Sequence, residues 1–221
     1  MMRLRRFDLM AQRKETHVLP LGWKECKRIY TKSDSSYINT NFIANGDTTF
    51  KGKFSFENIN GYFFGADSGK GHKMYGIQWS KNTLFPGYGS TRHLTSIDFG
   101  NGIFDAGDVM VLDLCRNKWK IYRGDTLIYS KDWGYQDFRC DYPFYIFSEC
   151  RNGNKHGGAI GVNFYGGEIF DGDVLVHKYI PCVDDSNVGC LFDSVTKTPY
   201  YDAAMIGFGY ELIDGTYAAP V

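Results

Sequence analysis

Short runs of aromatic and β-branched residues recur along this chain, and each is ended by a cluster of Gly, Asn, Asp or Ser. No other feature constrains the fold so strongly. In 48–56, Phe50, Phe54 and Phe56 fall at even spacing, which puts them on one face of a strand. Similar runs predict strands over 25–30, 37–40, 62–66, 74–79 and 83–88. A meander follows over 108–116, 118–123 and 126–130, turning at Arg116-Asn117-Lys118 and Arg123-Gly124-Asp125. The stretch 142–150 is strongly β, 160–164 comes next, and 168–179 is broken at Asp171-Gly172-Asp173. The last firm strand is 188–193, with a weaker one near Tyr200. Little room is left for helix. Frequent turns without a fixed repeat favour a sandwich or barrel over a propeller or solenoid.

The composition agrees, with 16 Tyr, 17 Phe and 4 Trp for strands and 26 Gly for turns. A chain of 221 residues suits one large all-β domain with a core that needs no disulfide or metal. Lys plus Arg and Asp plus Glu are 25 each, which argues against a surface built for nucleic acid. No apolar run reaches the ~18 residues of a membrane helix. Residues 1–18 form a basic arm with Arg3, Arg5, Arg6, Arg13 and Lys14 against Asp8 and Glu15. The arm lacks the apolar stretch of a secretion signal, so no secretion is expected. Cys26, Cys115, Cys140, Cys150, Cys182 and Cys190 form no C-x-x-C pair. They are expected to be reduced thiols, several of them packed as small hydrophobes, and not zinc ligands.

Several stretches together resemble one family. The start, Leu19-Pro20-Leu21-Gly22-Trp23, then Ile29-Tyr30 and Tyr37-Ile38-Asn39-Thr40, is similar to the opening of concanavalin A-like (laminin-G-like) domains of gut bacteria and their phages. Tyr62-Phe63-Phe64-Gly65-Ala66 resembles that family's "FGA" strand. Pro143-Phe144-Tyr145-Ile146-Phe147, Phe164-Tyr165 and the run from Asp171 to Cys182 resemble its "PLYLF…IY…DG-x-LVRDFIPC" signature. Val188-Gly189-Cys190-Leu191-Phe192-Asp193 through Pro199-Tyr200-Tyr201 resembles its closing segment. The resemblance implies an antiparallel β-sandwich of the concanavalin A-like jelly-roll type over 19–221, with 1–18 as a separate arm. His177-Lys178-Tyr179 stands where the pattern has Arg-Asp-Phe, and Asn39 replaces an Asp, so the match is architectural and carries no chemistry across.

Enzymes on this fold that hydrolyse glycans use carboxylates spaced E-x-D-x-E on one strand, with nucleophile and acid about 5 Å apart. Glu15, Glu25, Glu57, Glu149, Glu168 and Glu211 are the only glutamates, and none has that spacing. No catalytic residue is assigned. His17, His72, His93, His156 and His177 are expected to be ordinary surface histidines. Gly65-Ala66-Asp67-Ser68-Gly69-Lys70-Gly71 lacks the Ser/Thr and helix of a phosphate loop and is expected to be a hairpin loop. Asp67, Asp98, Asp105 and Asp108 lack the contiguous spacing of a calcium loop, so no metal or cofactor is expected.

Glycans remain as the candidate ligand. Their C–H faces stack on exposed aromatic rings, and their hydroxyls pair with Asn and Arg. Trp133 and Tyr135, in a segment joining two strands, are the stacking candidates; Tyr88 near Arg92 and His93 comes second. Arg151, Asn152 and Asn154, in a loop that follows the next strong strand, are the hydroxyl partners, and the two loops are expected to share a rim. Trp79 and Trp119 are expected in the core. The resulting expectation is a non-enzymatic recognition or assembly module displayed on a virion, docked through residues 1–18 to other virion or surface proteins and forming a homo-oligomer. Nucleic acid and membrane are not expected partners. The alternatives are a divergent glycoside hydrolase or lyase, a structural virion protein without a ligand, and a cytoplasmic location.

Overall fold

The computed structural model describes residues 19–56, 61–69, 73–80, 83–90, 97–98, 107–116, 118–215 and 217–218. The basic arm, His17, His72, His93, Arg92 and Asp105 lie outside the described residues. In chain order the strands are β1 Lys24–Tyr30, β2 Ile38–Asn39, β3 Thr48–Phe56, β4 Gly61–Asp67, β5 Met74–Ser80, β6 Thr83–Gly89, β7 Ile97–Asp98, β8 Met110–Cys115, β9 Lys118–Arg123 and β10 Thr126–Asp132. There follow β11 Tyr145–Ile146, β12 Glu149–Arg151, β13 Asn154–His156, β14 Val162–Asp171, β15 Val174–Val183, β16 Gly189–Asp193, β17 Thr198–Tyr200, β18 Gly209–Leu212 and β19 Tyr217–Ala218. The described residues contain no helix.

The strands form two sheets. The larger runs β10-β9-β8-β3-β14-β1-β15-β16-β17, with β18 beside β1 and β19 beside β18; the smaller runs β13-β12-β4-β5-β6-β7, with β11 against β4 and β2 against β11. Distant strands lie side by side: β3 pairs with β14 and β1 with β15. The fold is an all-β, antiparallel sandwich, as the sequence predicts. One pairing departs from the rule, because β12 runs parallel to β4.

Period-two patterning explains the layers. Along β3, Phe50, Phe54 and Phe56 turn inward and are buried, while Lys51 and Lys53 turn outward. From β4, Phe63 and Phe64 meet them: Phe50 lies 4.5 Å from Phe64 and Phe54 lies 5.5 Å from Phe63, both edge-on. Trp79 and Trp119 are buried as expected. Tyr75 is buried on β5, and its hydroxyl crosses to the large sheet. There it donates to Leu114 O at 2.6 Å and accepts from Phe50 N at 2.8 Å. Phe50 and Leu114 face each other across β3 and β8, so one phenol from the small sheet ties two strands of the large one.

Three expectations are corrected. The stretch 142–150 is not one strand: it breaks between β11 and β12 at Phe147, whose φ is 69°. The burial of Phe147 between Phe164 and Phe208 holds that unfavourable conformation. The expected loop around 151–156 is the hairpin β12–β13, turned by Asn152 and Gly153 with φ of 52° and 79°. That Asn-Gly pair is the usual solution for a two-residue hairpin turn. Finally, 188–193 is not the last firm strand. β18 adds to β1, and Gly209 leaves room there for the ring of Tyr30.

Five of the six cysteines are buried and all six are free thiols, with Cys182 and Cys190 paired across β15 and β16 and their sulfurs 3.4 Å apart. Tyr75→Phe keeps the ring but removes the hydroxyl that satisfies Phe50 N. Urea unfolding should show a loss of about 1–3 kcal/mol, and a neutral change would show that the hydroxyl is dispensable.

Candidate functional site

Chain segment 40–47 leaves the small sheet after β2 and runs antiparallel to 138–144 before entering β3. Thr40 N bonds Phe144 O, Phe144 N bonds Phe42 O and Gly46 N bonds Phe138 O. This places Asn41, Phe42 and Asn45 by the turn end of the β14–β15 hairpin, with Tyr200 of β17 alongside. Between them lies a cleft of about 350 Å³, to which Arg139, Asp171, His177 and Tyr200 also contribute.

The cleft combines apolar rings with polar groups in fixed positions. Asn45 is held by its turn: its Oδ1 accepts from Asp47 N at 2.7 Å, and its Nδ2 donates to Asp171 Oδ1 at 3.0 Å. Asn41 adopts a φ of 57° with its amide exposed. Phe42 meets the imidazole of His177 edge-on at 5.6 Å, and His177 stacks parallel on Tyr179 at 5.6 Å. Arg139 is exposed and has no ion-pair partner among the described residues.

His177 is not the surface residue expected from sequence. Its side chain is 13% exposed and its Nδ1 lies 2.7 Å from Asp193 Oδ2. This leaves Nε2 without a hydrogen-bond partner among the described residues. Burial of Asp193 by itself would raise its pKa. That effect is outweighed by His177, by the Thr196 hydroxyl and by the backbone amides of Lys178 and Val195, which together hold the carboxyl at about 2.

Neither Trp133 nor Tyr135 lines this cleft. Trp133 lies against Tyr88 with ring centres 6.0 Å apart, and its indole N–H donates to Arg116 O at 3.3 Å. The ring is half-buried and already stacked on one side. Tyr135 is 55% exposed and reaches towards Gly46, next to Asn45. Tyr88 is buried, with its hydroxyl donating to Gly46 O at 2.6 Å.

Arg151, Asn152 and Asn154 stand elsewhere along the same end of the small sheet. Gly89, Met74, Asp67 and Arg151 form one row across four strands. Three strand spacings, ~14 Å, therefore separate the β12–β13 hairpin from Gly89, beside which Gln136 packs. The ion pair of Lys73 with Asp141 lies between the two loops. Arg151 serves two buried carboxylates, with Nε 3.2 Å from Asp67 and an Nη 2.7 Å from Glu149. It also donates to the Tyr62 hydroxyl at 2.8 Å. Asn152 and Asn154 are exposed, and Asn154 Nδ2 caps Asn152 O.

Sequence reasoning missed Asn41, Asn45, Arg139, Asp171, His177 and Tyr200 as a group, because they come from four separated stretches. A signal existed: His177 departs from the family pattern, and it lines the cleft.

No protein-family model and no curated protein matches the chain. Among solved structures it is similar to a Bacteroides ovatus protein assigned to carbohydrate binding, with a TM-score of 0.51 and 13% identity over 88% of this chain and 62% of that one. The chain thus spans less than two thirds of that relative. It is also similar to NanB with Optactamide (TM-score 0.43, 13% identity, 63% of this chain and 26% of that one). A third similarity is to the carbohydrate binding module CBM66 from Bacillus subtilis (TM-score 0.30, 14% identity, 64% and 93%). At such identities the likeness is one of fold.

Two predictions follow from the buried charges. Arg151→Ala strands Asp67 and Glu149 without their cation and should cost about 3–5 kcal/mol in denaturant unfolding; a loss below 1 kcal/mol would contradict that role. Asp193 has a depressed folded-state pKa, so its contribution is present above its ordinary range near 3.8 and disappears as pH falls through about 2. Asp193→Asn should be less stable than the parent at pH 7, with the gap closing towards pH 2. A gap independent of pH would refute this.

Proposed function

We propose that the chain is a non-enzymatic glycan-recognition module whose ligand enters the cleft between segment 40–47 and the β14–β15 hairpin. One observation carries this reading: half-buried Phe42 and Tyr200 share a concavity with Asn41, Asn45, Arg139 and the free Nε2 of His177. A sugar needs that combination, a ring for its C–H face and fixed donors and acceptors for its hydroxyls. At about 350 Å³ the cleft is near the lower limit of ligand pockets, ~300 Å³, which suits a glycan terminus. Tyr135 extends the rim for a following sugar.

The carbohydrate-binding assignment of the Bacteroides ovatus protein supports the same reading. So does the resemblance of the sequence to concanavalin A-like domains of gut bacteria and phages, from which display on a particle through residues 1–18 also follows as part of the proposal. The hydrolase reading is disfavoured by the acids. Asp171 is the one carboxylate among the described residues lining the cleft, and a glycosidase needs two. Asp67 and Glu149 do converge, but both are fully buried around Arg151.

A glycan array is the direct test. The parent protein should retain at least one glycan class, and Arg139→Ala or Tyr200→Ala should lower retention by about tenfold or more, the weight of roughly 1.4 kcal/mol. Arg139→Ala should leave the thermal midpoint in place. An empty array, or retention indifferent to both substitutions, would remove the proposal.

A further inference from the structure

The outer face of the large sheet carries a second concavity, which shares no lining residue with the cleft. It is an open groove of about 460 Å³ crossing β3, β14, β15 and β1, with Lys27, Lys51, Lys53 and Lys178 against Glu25 and Glu168. Its charges follow from register. Lys120, Asp113, Lys51, Glu168 and Lys178 are successive partners across β9, β8, β3, β14 and β15. Opposite charges alternate along that row, which stabilises the sheet.

Not every cation of this face is closed into an ion pair. Lys27 is paired with Glu211 at 2.9 Å and Lys178 with Glu168 at 3.6 Å. Lys51 and Lys53 have no ion-pair partner among the described residues. They lie over the rings of Phe170, at 5.5 Å, and Tyr165, at 5.8 Å. Tyr165 is itself held in place, its hydroxyl 3.0 Å from Ser55 Oγ, which accepts from Asn163 Nδ2 at 3.1 Å. Ser55 and Asn163 are buried. Beside the ring, Val111, Ile180 and Pro181 give an apolar lining. The strand bulges at Gly166, where φ is 120° and a β-carbon would lie 3.0 Å from Tyr179 O, so no side chain fills the groove at that point.

We infer that this face binds an acidic polysaccharide, its carboxylates or sulfates meeting Lys51 and Lys53 and one sugar ring lying on Tyr165. Charge complementarity selects the occupant. Lys51 and Lys178 are two strands apart, ~10 Å, with Glu168 between them. Such sparse cations suit a polymer with one charge per sugar. They do not suit duplex DNA, which carries a negative charge every ~1.7 Å, far denser than these cations and set against Glu25 and Glu168. The inference stands independently of the cleft.

Affinity electrophoresis tests it, using gels that contain dextran sulfate, polygalacturonate or uncharged dextran, with duplex DNA as competitor. At low salt the protein should be retarded by at least one of the two acidic polymers and not by dextran. Retardation by polygalacturonate assigns carboxylates, and by dextran sulfate sulfates. It should weaken as salt shortens the screening length. Lys51→Gln/Lys53→Gln, which removes only exposed charge, should reduce retardation by about tenfold. Tyr165→Ala should reduce it severalfold, with folding checked by its melting curve. Retardation by neither acidic polymer, or retardation unchanged in the double lysine variant, would overturn the inference. So would preferential capture by duplex DNA.

Discussion

The hydroxyl of Tyr75 is the point on which the two sheets depend. It leaves the small sheet, crosses the aromatic layer and sits between the amide of Phe50 and the carbonyl of Leu114. The rings around it would pack in several ways, since hydrophobic burial has no direction of its own. A buried polar group does have direction, because leaving it unpaired is costly. The phenol therefore sets how β5 lies over β3 and β8. Tyr88 repeats the device one strand further along by bonding Gly46 O. That second phenol pins segment 40–47, and so the candidate cleft is an outcome of how the sheets are registered.

The layers were legible in the sequence because they follow a period of two. Phe50, Phe54 and Phe56 on β3 announce both the strand and its buried face, and Lys51 and Lys53 announce the other. What could not be read were reversals dictated from far away. Phe147 belongs to a convincing strand by local pattern, and it is Phe164 and Phe208, distant in the chain, that hold it at a positive φ. The site suffered similarly. Trp133 was conspicuous as a loop tryptophan, yet its neighbour Tyr88 was already placed to cover one of its faces. Arg139 was inconspicuous, and only the pairing of 138–144 with 40–46 brings it beside Asn45.

Charge is handled in two ways. At the β4–β12 junction, Asp67 and Glu149 are fully buried and Arg151, its side chain 25% exposed, reaches in as their cation, which spends the guanidinium on structure. On the outer face of the large sheet the charges alternate from strand to strand, and the exposed Lys51 and Lys53 of β3 form no ion pair among the described residues. The difference lies in burial. A cation set between buried carboxylates is committed by the cost of leaving them alone, whereas an exposed one without such partners loses little when it exchanges water for a ligand.

The placement of β1 in mid-sheet also governs how the chain reaches this structure. β1 bonds to β14, β15 and β18, so the strand made early waits for strands made much later. Contacts so remote in sequence make for a high contact order and slow closure. During synthesis β4 to β6 and β8 to β10 can form their local hairpins at once, while β1 waits for β14 and β15 and keeps one edge unfinished until residues around Tyr210 have been made. Through that interval the exposed edges of β1 and β3 are the places where a second nascent chain could pair, and they make this protein one whose yield depends on how quickly its last strands arrive.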